Sequence, residues 1–126
     1  MSSMRPNTLL AAPFRLPEAV TPRDLLAKYF RALGNPTRLR ILELLRERER
    51  PVGELVDQLR TSQPYVSNQL ACLRGCGLVT TRRDHRTIYY RLADARVEQI
   101  LALAQSLLDD NANHITACCV IDSQSC

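Results

Sequence analysis

Apolar residues recur along this chain with two different periods, and the change of period divides it into elements. Leu26, Tyr29, Phe30 and Leu33 fall at i, i+3, i+4 and i+7, one face of a helix. Thr21-Pro22-Arg23-Asp24 starts that helix with a capping hydroxyl, a first-turn proline and an acid at the positive end of the dipole. Gly34 ends it. Asn35-Pro36-Thr37 restarts the pattern, with Leu39, Leu42 and Leu45 on the seam and Ile41 and Leu44 widening it. Arg46 to Arg50 alternate in sign and read as a solvated helix end. A short third helix is expected over residues 52–60, with Leu55, Val56 and Leu59 inward.

Thr61 to Gly77, TSQPYVSNQLACLRGCG, predicts a fourth helix, which either Thr61 or Ser62 can cap. At about 100° per residue, Val66, Leu70 and Leu73 make an apolar seam. One flank carries Gln63, Pro64, Ser67, Asn68, Ala71 and Arg74, small or hydrogen-bonding groups suited to a DNA groove. The other carries Cys72 and Cys76, surface neighbours four residues apart. The period then changes to two. Leu78–Arg83 and Arg86–Leu92 read as strands with Asp84-His85 at the turn, Ile88, Tyr90 and Leu92 alternating with wetter positions. Two helices joined by a tight break and followed by a basic hairpin predict a winged helix-turn-helix, mainly α with a β-hairpin wing.

The last helix is expected from Asp94, with Val97, Ile100, Leu101, Ala104, Leu107 and Leu108 in a regular stripe. Such a stripe outside the central bundle suits pairing across a two-fold axis, hence a homodimer reading two half-sites of double-stranded operator DNA. The predicted organisation is an N-terminal arm over 1–20, the winged domain over 21–110, and a cysteine-containing tail over 111–126.

Charge sharpens this picture. Residues 61–91 hold five arginines against the single Asp84, an excess equal to the net charge of +4 on the whole chain. One face is therefore basic, as expected of a nucleic-acid binder. Base-edge contacts are assigned to Gln63, Ser67 and Asn68, with Gln69 and Arg74 beside them. Arg82, Arg83, His85 and Arg86 at the hairpin tip are assigned to phosphate or the minor groove. No secretory leader or membrane-length apolar run is read, so a cytoplasmic location is expected, where five cysteines point to metal or redox chemistry. Thiolates select soft ions. Cys72 and Cys76 stand about 6 Å apart along a helix axis, a spacing suited to one ion and less so to a disulfide. Arg74 and its basic surroundings are expected to favour thiolate.

NPTRLRILELL, GELVDQL, SQPYVSNQLACLRGCGLV and RRDHRTIYYRL resemble, in order and spacing, the ArsR/SmtB repressors, over Leu25 to Leu108. Within that family ACLRGCGLV is similar to the CmtR-type cadmium and lead sensors. The resemblance implies a homodimeric repressor released from its operator by metal. Cys72 and Cys76 would be ligands, completed by Cys118 from the other subunit. GELVDQL lacks the cysteines of sensors that bind metal on the third helix. His114 alone does not make the paired Asp and His site of the zinc sensors. Cys118-Cys119 with Cys126 also resembles the tail cysteines of some arsenite sensors, so As(III) and Hg stand beside Cd and Pb as effectors. Two alternatives remain open: a thiol-redox repressor on the same scaffold, and a dimeric interaction module that never touches DNA. An enzyme is the least expected reading, since no Ser/His/Asp set and no phosphate-binding glycine loop is read.

Overall fold

The computed structural model describes residues 19–118. The arm assigned to residues 1–20 therefore lies almost wholly outside the described residues, as do Cys119 and Cys126. The elements run α1 (Pro22–Leu33), α2 (Pro36–Glu47), β1 (Arg50–Pro51), α3 (Val52–Leu59), α4 (Gln63–Gly75), β2 (Val79–Asp84), β3 (Thr87–Leu92) and α5 (Ala95–Thr116). This is a winged helix-turn-helix.

Helix ends follow local chemistry. Thr21 and Asp24 form a reciprocal capping box at α1, with bonds of 2.9 and 3.1 Å. Asn35 caps α2 by accepting from the Arg38 amide at 3.0 Å. Of the two candidates before α4, Ser62 is the cap, accepting from the Tyr65 amide. Asp94 caps α5 by accepting from the Arg96 amide, and the Arg96 guanidinium beside it holds its carboxyl down to about 2. Arg60, at φ 58°, makes the left-handed turn between α3 and α4 without a glycine. At the far end of α4, Gly77 (φ 77°) reverses the chain so that the Leu78 amide reaches the Leu73 carbonyl at 2.9 Å.

Ile41, Leu42, Leu55, Val66, Leu70, Leu73 and Leu78 are fully buried and form the centre of the core. The sheet has the order β1-β3-β2, antiparallel throughout, with Val79 paired to Leu92 and Asp84 to Thr87. The hairpin loop is thus His85-Arg86, one residue later than expected, and His85 takes the positive φ of 60° that tight hairpins require. Tyr90 and Leu92 pack on the core, whereas Ile88, beyond its reach near the tip, is exposed.

Two expectations are corrected. The run Arg46 to Arg50 is not simply a solvated end: Arg50 is 5% exposed and lies in β1. Its guanidinium donates to the Leu44 carbonyl at 3.0 Å and to the carboxylates of Glu47 and Glu54, tying the end of α2 to α3. Residues 111–116 are helical, not tail: α5 continues past a non-helical Asn111 (φ −124°) whose side-chain amide donates to the Leu107 carbonyl. Of the α5 stripe, Val97 and Leu101 are buried in the core of the chain and Ile100, Leu107 and Leu108 are exposed.

Arg50→Met removes a buried donor set and leaves the Leu44 carbonyl without it, so a loss of about 2 kcal/mol is expected on urea denaturation. Glu47→Gln, at the exposed end of the same contact, should cost under about 0.5 kcal/mol. Equal losses would show that the ion pair, not the buried carbonyl bond, carries the stability.

Candidate nucleic-acid interface and thiol site

Helix α4 is held by its seam. Val66, Leu70 and Leu73 are at most 1% exposed and turn the remaining faces outward. Gln63, Ser67, Asn68, Ala71 and Arg74 are all exposed on one of them. Beyond the helix the wing presents Arg83, His85 and Arg86, also exposed, with the His85 ring 2.8 Å from the Asp84 carboxylate. Among the described residues no ion pair engages Arg74, Arg83 or Arg86. Those three guanidiniums keep their charge for an outside anion.

Two residues assigned to DNA do not belong to this face. Gln69 is 7% exposed, and its carbonyl oxygen accepts from the Arg38 guanidinium at 2.9 Å. It sits at i, i+3 and i+7 with Cys72 and Cys76, so helical geometry puts it on the thiol side, behind the reading face. Arg82 is clasped by both oxygens of Glu49 and lies over the Tyr89 ring, 4.6 Å from its centroid. Its charge is paired with Glu49 at a half-exposed position on the wing.

The thiol side faces an open depression of about 820 Å³ between α1, α2 and α4, lined by Lys28, Phe30, Arg31, Arg38, Cys72 and Cys76. The helix ends at Gly75, yet the Cys76 amide still donates to the Cys72 carbonyl at 3.1 Å. The i, i+4 relation of the thiols therefore survives the helix end. Both are half-buried and unbridged. Burial pushes the Cys76 thiol above its ordinary value, and its interaction with Cys72 pushes the same way. Lys28 and Arg38 oppose this without reversing it. The expectation of a thiolate favoured by Arg74 is thus reversed at Cys76: Arg74 points to the reading face, and burial outweighs the cations that do face the sulfur.

Two neighbouring soft donors in a partly closed depression fit a thiophilic ion as part of its ligand set. Among the described residues of one chain, no third His, Cys, Asp or Glu gathers with them to complete a site. Cys118 follows α5, half-buried, its amide donating to the Ile115 carbonyl at 3.2 Å. Arg38 is the residue that the sequence pattern did not single out. It donates to the carbonyls of Ala32 (2.7 Å) and Arg31 (3.2 Å) at the end of α1 as well as to Gln69. A contact spanning 31 residues leaves no local signature.

Because Cys76 is raised, its alkylation by iodoacetamide at neutral pH should run slower than that of an unstructured cysteine peptide. Its rate should climb with pH to a midpoint above the peptide's. Peptide mapping after timed quenching measures this, and a midpoint below the peptide's would mean that the cations dominate.

Comparison with known proteins gives a consistent picture. The family model for bacterial regulatory proteins of the arsR family matches residues 35–81, from the cap of α2 into β2. The chain is 42% identical over 98 residues to the "Probable mercury resistance operon repressor" of Streptomyces lividans, covering 78% of each chain. The crystal structure of Rv0081 from Mycobacterium tuberculosis is similar at TM-score 0.72 and 37% identity, over 78% of this chain and all of that one. A homodimeric winged helix-turn-helix DNA-binding domain from Mycobacterium bovis matches at TM-score 0.66 and 35% identity, over 70% of this chain and 82% of that one.

Proposed function

The chain belongs to the ArsR family of bacterial regulatory proteins, DNA-binding regulators and not enzymes, and on that premise we propose a repressor released from its operator by a thiophilic metal ion. The observation that carries this reading is the place of the thiols. Cys72 in α4 and Cys76 at its C-cap line one depression, on a different side of the helix from the exposed Gln63, Ser67 and Arg74, so an ion held there bears directly on the seating of the helix taken to read DNA.

In the metal-free protein α4 enters the major groove, with Gln63, Ser67 and Asn68 at base edges and Arg74 at the backbone. The wing lies along the duplex with Arg83, His85 and Arg86. Two copies act together. Leu26 and Phe30 on α1, and Leu103, Leu107, Leu108 and Ile115 on α5, are 44–65% exposed, an apolar surface that a second copy would cover. The S. lividans relative's name speaks of mercury and the M. bovis domain is homodimeric; both support this reading. Cd, Pb, Hg and As(III) share the preference for sulfur. Such an ion supplies bonds to sulfur that the free dimer lacks. Cys72 and Cys76 contribute two donors, and Cys118 of a second copy, with Cys119 and Cys126, offers the rest. Among the described residues no helix is long and apolar enough to cross a membrane.

The test uses a duplex selected from a random library by the reduced, metal-free protein. Fluorescence anisotropy follows its release by Cd(II), Pb(II), Hg(II) and As(III), with peroxide as the redox arm. Wild-type protein should release DNA with at least one ion, while Cys72→Ser/Cys76→Ser stays bound. Release from the double variant would move sensing to the tail cysteines. Release by peroxide alone would replace metal with oxidation.

On the same duplex, Arg83→Ala/Arg86→Ala should lower the slope of log K against log salt by about 1.8, the value for two phosphate contacts. Arg82→Ala should leave the slope unchanged, because Glu49 already neutralises that charge. An equal drop in both would return Arg82 to the DNA face.

A further inference from the structure

Gln69 is a polar side chain buried on a helix whose neighbouring faces are core and solvent, and it needs a reason to be there. Among the described residues its carbonyl has one partner, the Nη1 of Arg38 at 2.9 Å. Arg38 is in turn seated on two carbonyls near the end of α1, that of Ala32 at 2.7 Å and that of Arg31 at 3.2 Å, the second of which also accepts the Gly34 amide at 3.1 Å. One guanidinium therefore joins α1, α2 and α4. It also lines the depression that holds Cys72 and Cys76. Along α4 the latch residue and the thiols form one stripe, Gln69, Cys72 and Cys76, three and seven residues apart. Ser67, two residues before Gln69, lies about 160° from it around the helix, and Asn68, four residues before Cys72, borders the thiol stripe from the exposed side. A helix is stiff over two turns, so a displacement or rotation that re-seats the thiols shifts Gln69 and the reading residues together.

We infer that Arg38 is the positioning residue that couples the thiol site to the reading face of α4, by holding Gln69 in the DNA-competent seat and losing it when the thiols are drawn to an ion. The inference rests on the reading of Cys72 and Cys76 as metal ligands. It adds the element whose two arrangements the ion would discriminate, which coupling between sites requires. A latch of this kind differs from a mere packing contact. Removing a packing contact lowers operator affinity in both forms alike. Removing the latch lowers it in the metal-free form only, so the ratio between the forms collapses.

The experiment measures three quantities on wild type, Gln69→Leu and Gln69→Glu. These are the Cd(II) affinity from the sulfur-to-metal absorption band, the operator Kd without ion, and the operator Kd with saturating ion. Gln69→Leu should bind Cd(II) within about threefold of wild type, yet its ratio of operator Kd values should fall by tenfold or more. Gln69→Glu keeps the acceptor for Arg38 and should restore most of the ratio. Arg38→Met removes the donor instead and should show the same loss, so a poorly folding Gln69→Leu does not decide the matter. A wild-type ratio in Gln69→Leu or Arg38→Met overturns the latch. Failure of wild type to show either the absorption band or release overturns the metal reading itself, and the latch with it.

Discussion

The seating of α4 is the constraint on which the rest of the structure depends. Its thirteen residues bury one side and, under the proposed function, present another to DNA and keep a third for the thiols. Only the first of these supplies much stability. Val66, Leu70 and Leu73 vanish into a core shared with Ile41, Leu42 and Leu55, each contributing roughly 1.5–3 kcal/mol by burial. The exposed side contributes little to folding, which leaves Gln63, Ser67 and Asn68 free to be chosen for what they touch. The Gly77 turn and the Leu78–Leu73 bond then fix where the helix stops, and with it where the wing begins. Orientation of the reading face and position of the wing thus follow from one short apolar seam.

The electrostatics divide along the same line. Arginines near the core are engaged: Arg50 by Glu47, Glu54 and a carbonyl, Arg82 by Glu49, Arg46 by Glu98 at 3.0 Å. Arginines on the reading face and wing tip are not. Exposed pairs such as Arg46–Glu98 contribute little to stability. At the wing the footprint is set by which arginines have partners: Arg82 is paired with Glu49, while among the described residues Arg83 and Arg86 have no ion pair.

This explains what could be read along the chain and what could not. The starts of α1 and α2 were legible because they rest on residues within four of one another, Thr21 with Asp24 and Asn35 with Arg38, whereas the choice of Ser62 over Thr61, the one-residue shift of the hairpin loop and the end of α5 were not. Nor was the fate of individual charges. Arg82 and Arg83 are adjacent and chemically identical, yet only one finds Glu49, 33 residues away. The burial of Arg50 needs β1 to pair with β3, a register that a two-residue strand does not announce. Gln69 is the instructive case. It was assigned to DNA for its chemistry, although the 100° rule that placed Cys72 and Cys76 on the far side places Gln69 there too. Periodicity was the better guide, and side-chain type the worse one.

Under the proposed function, the position of Cys72 and Cys76 also bears on how strong a switch they make. To carry a dimer from almost wholly DNA-competent to almost wholly released takes a preference of about 10⁴-fold, or about 5.5 kcal/mol. A site on a distant helix must send that energy through packed side chains that dissipate part of it into local relaxation. Cys72 and Cys76 share a helix with Ser67 and Asn68, one or two turns away, so strain imposed on the sulfurs is strain on the reading face. The cost of this arrangement is exposure of the site to whatever holds α4 in place. A helix fixed only by its apolar seam could rock about that seam with small loss of burial, and ligand binding would then re-seat the sulfurs without moving the reading residues in a defined direction. A second point of attachment, off the seam and polar, turns rocking into a choice between two seats. Arg38, fastened to the end of α1 and reaching Gln69, is placed to be that point.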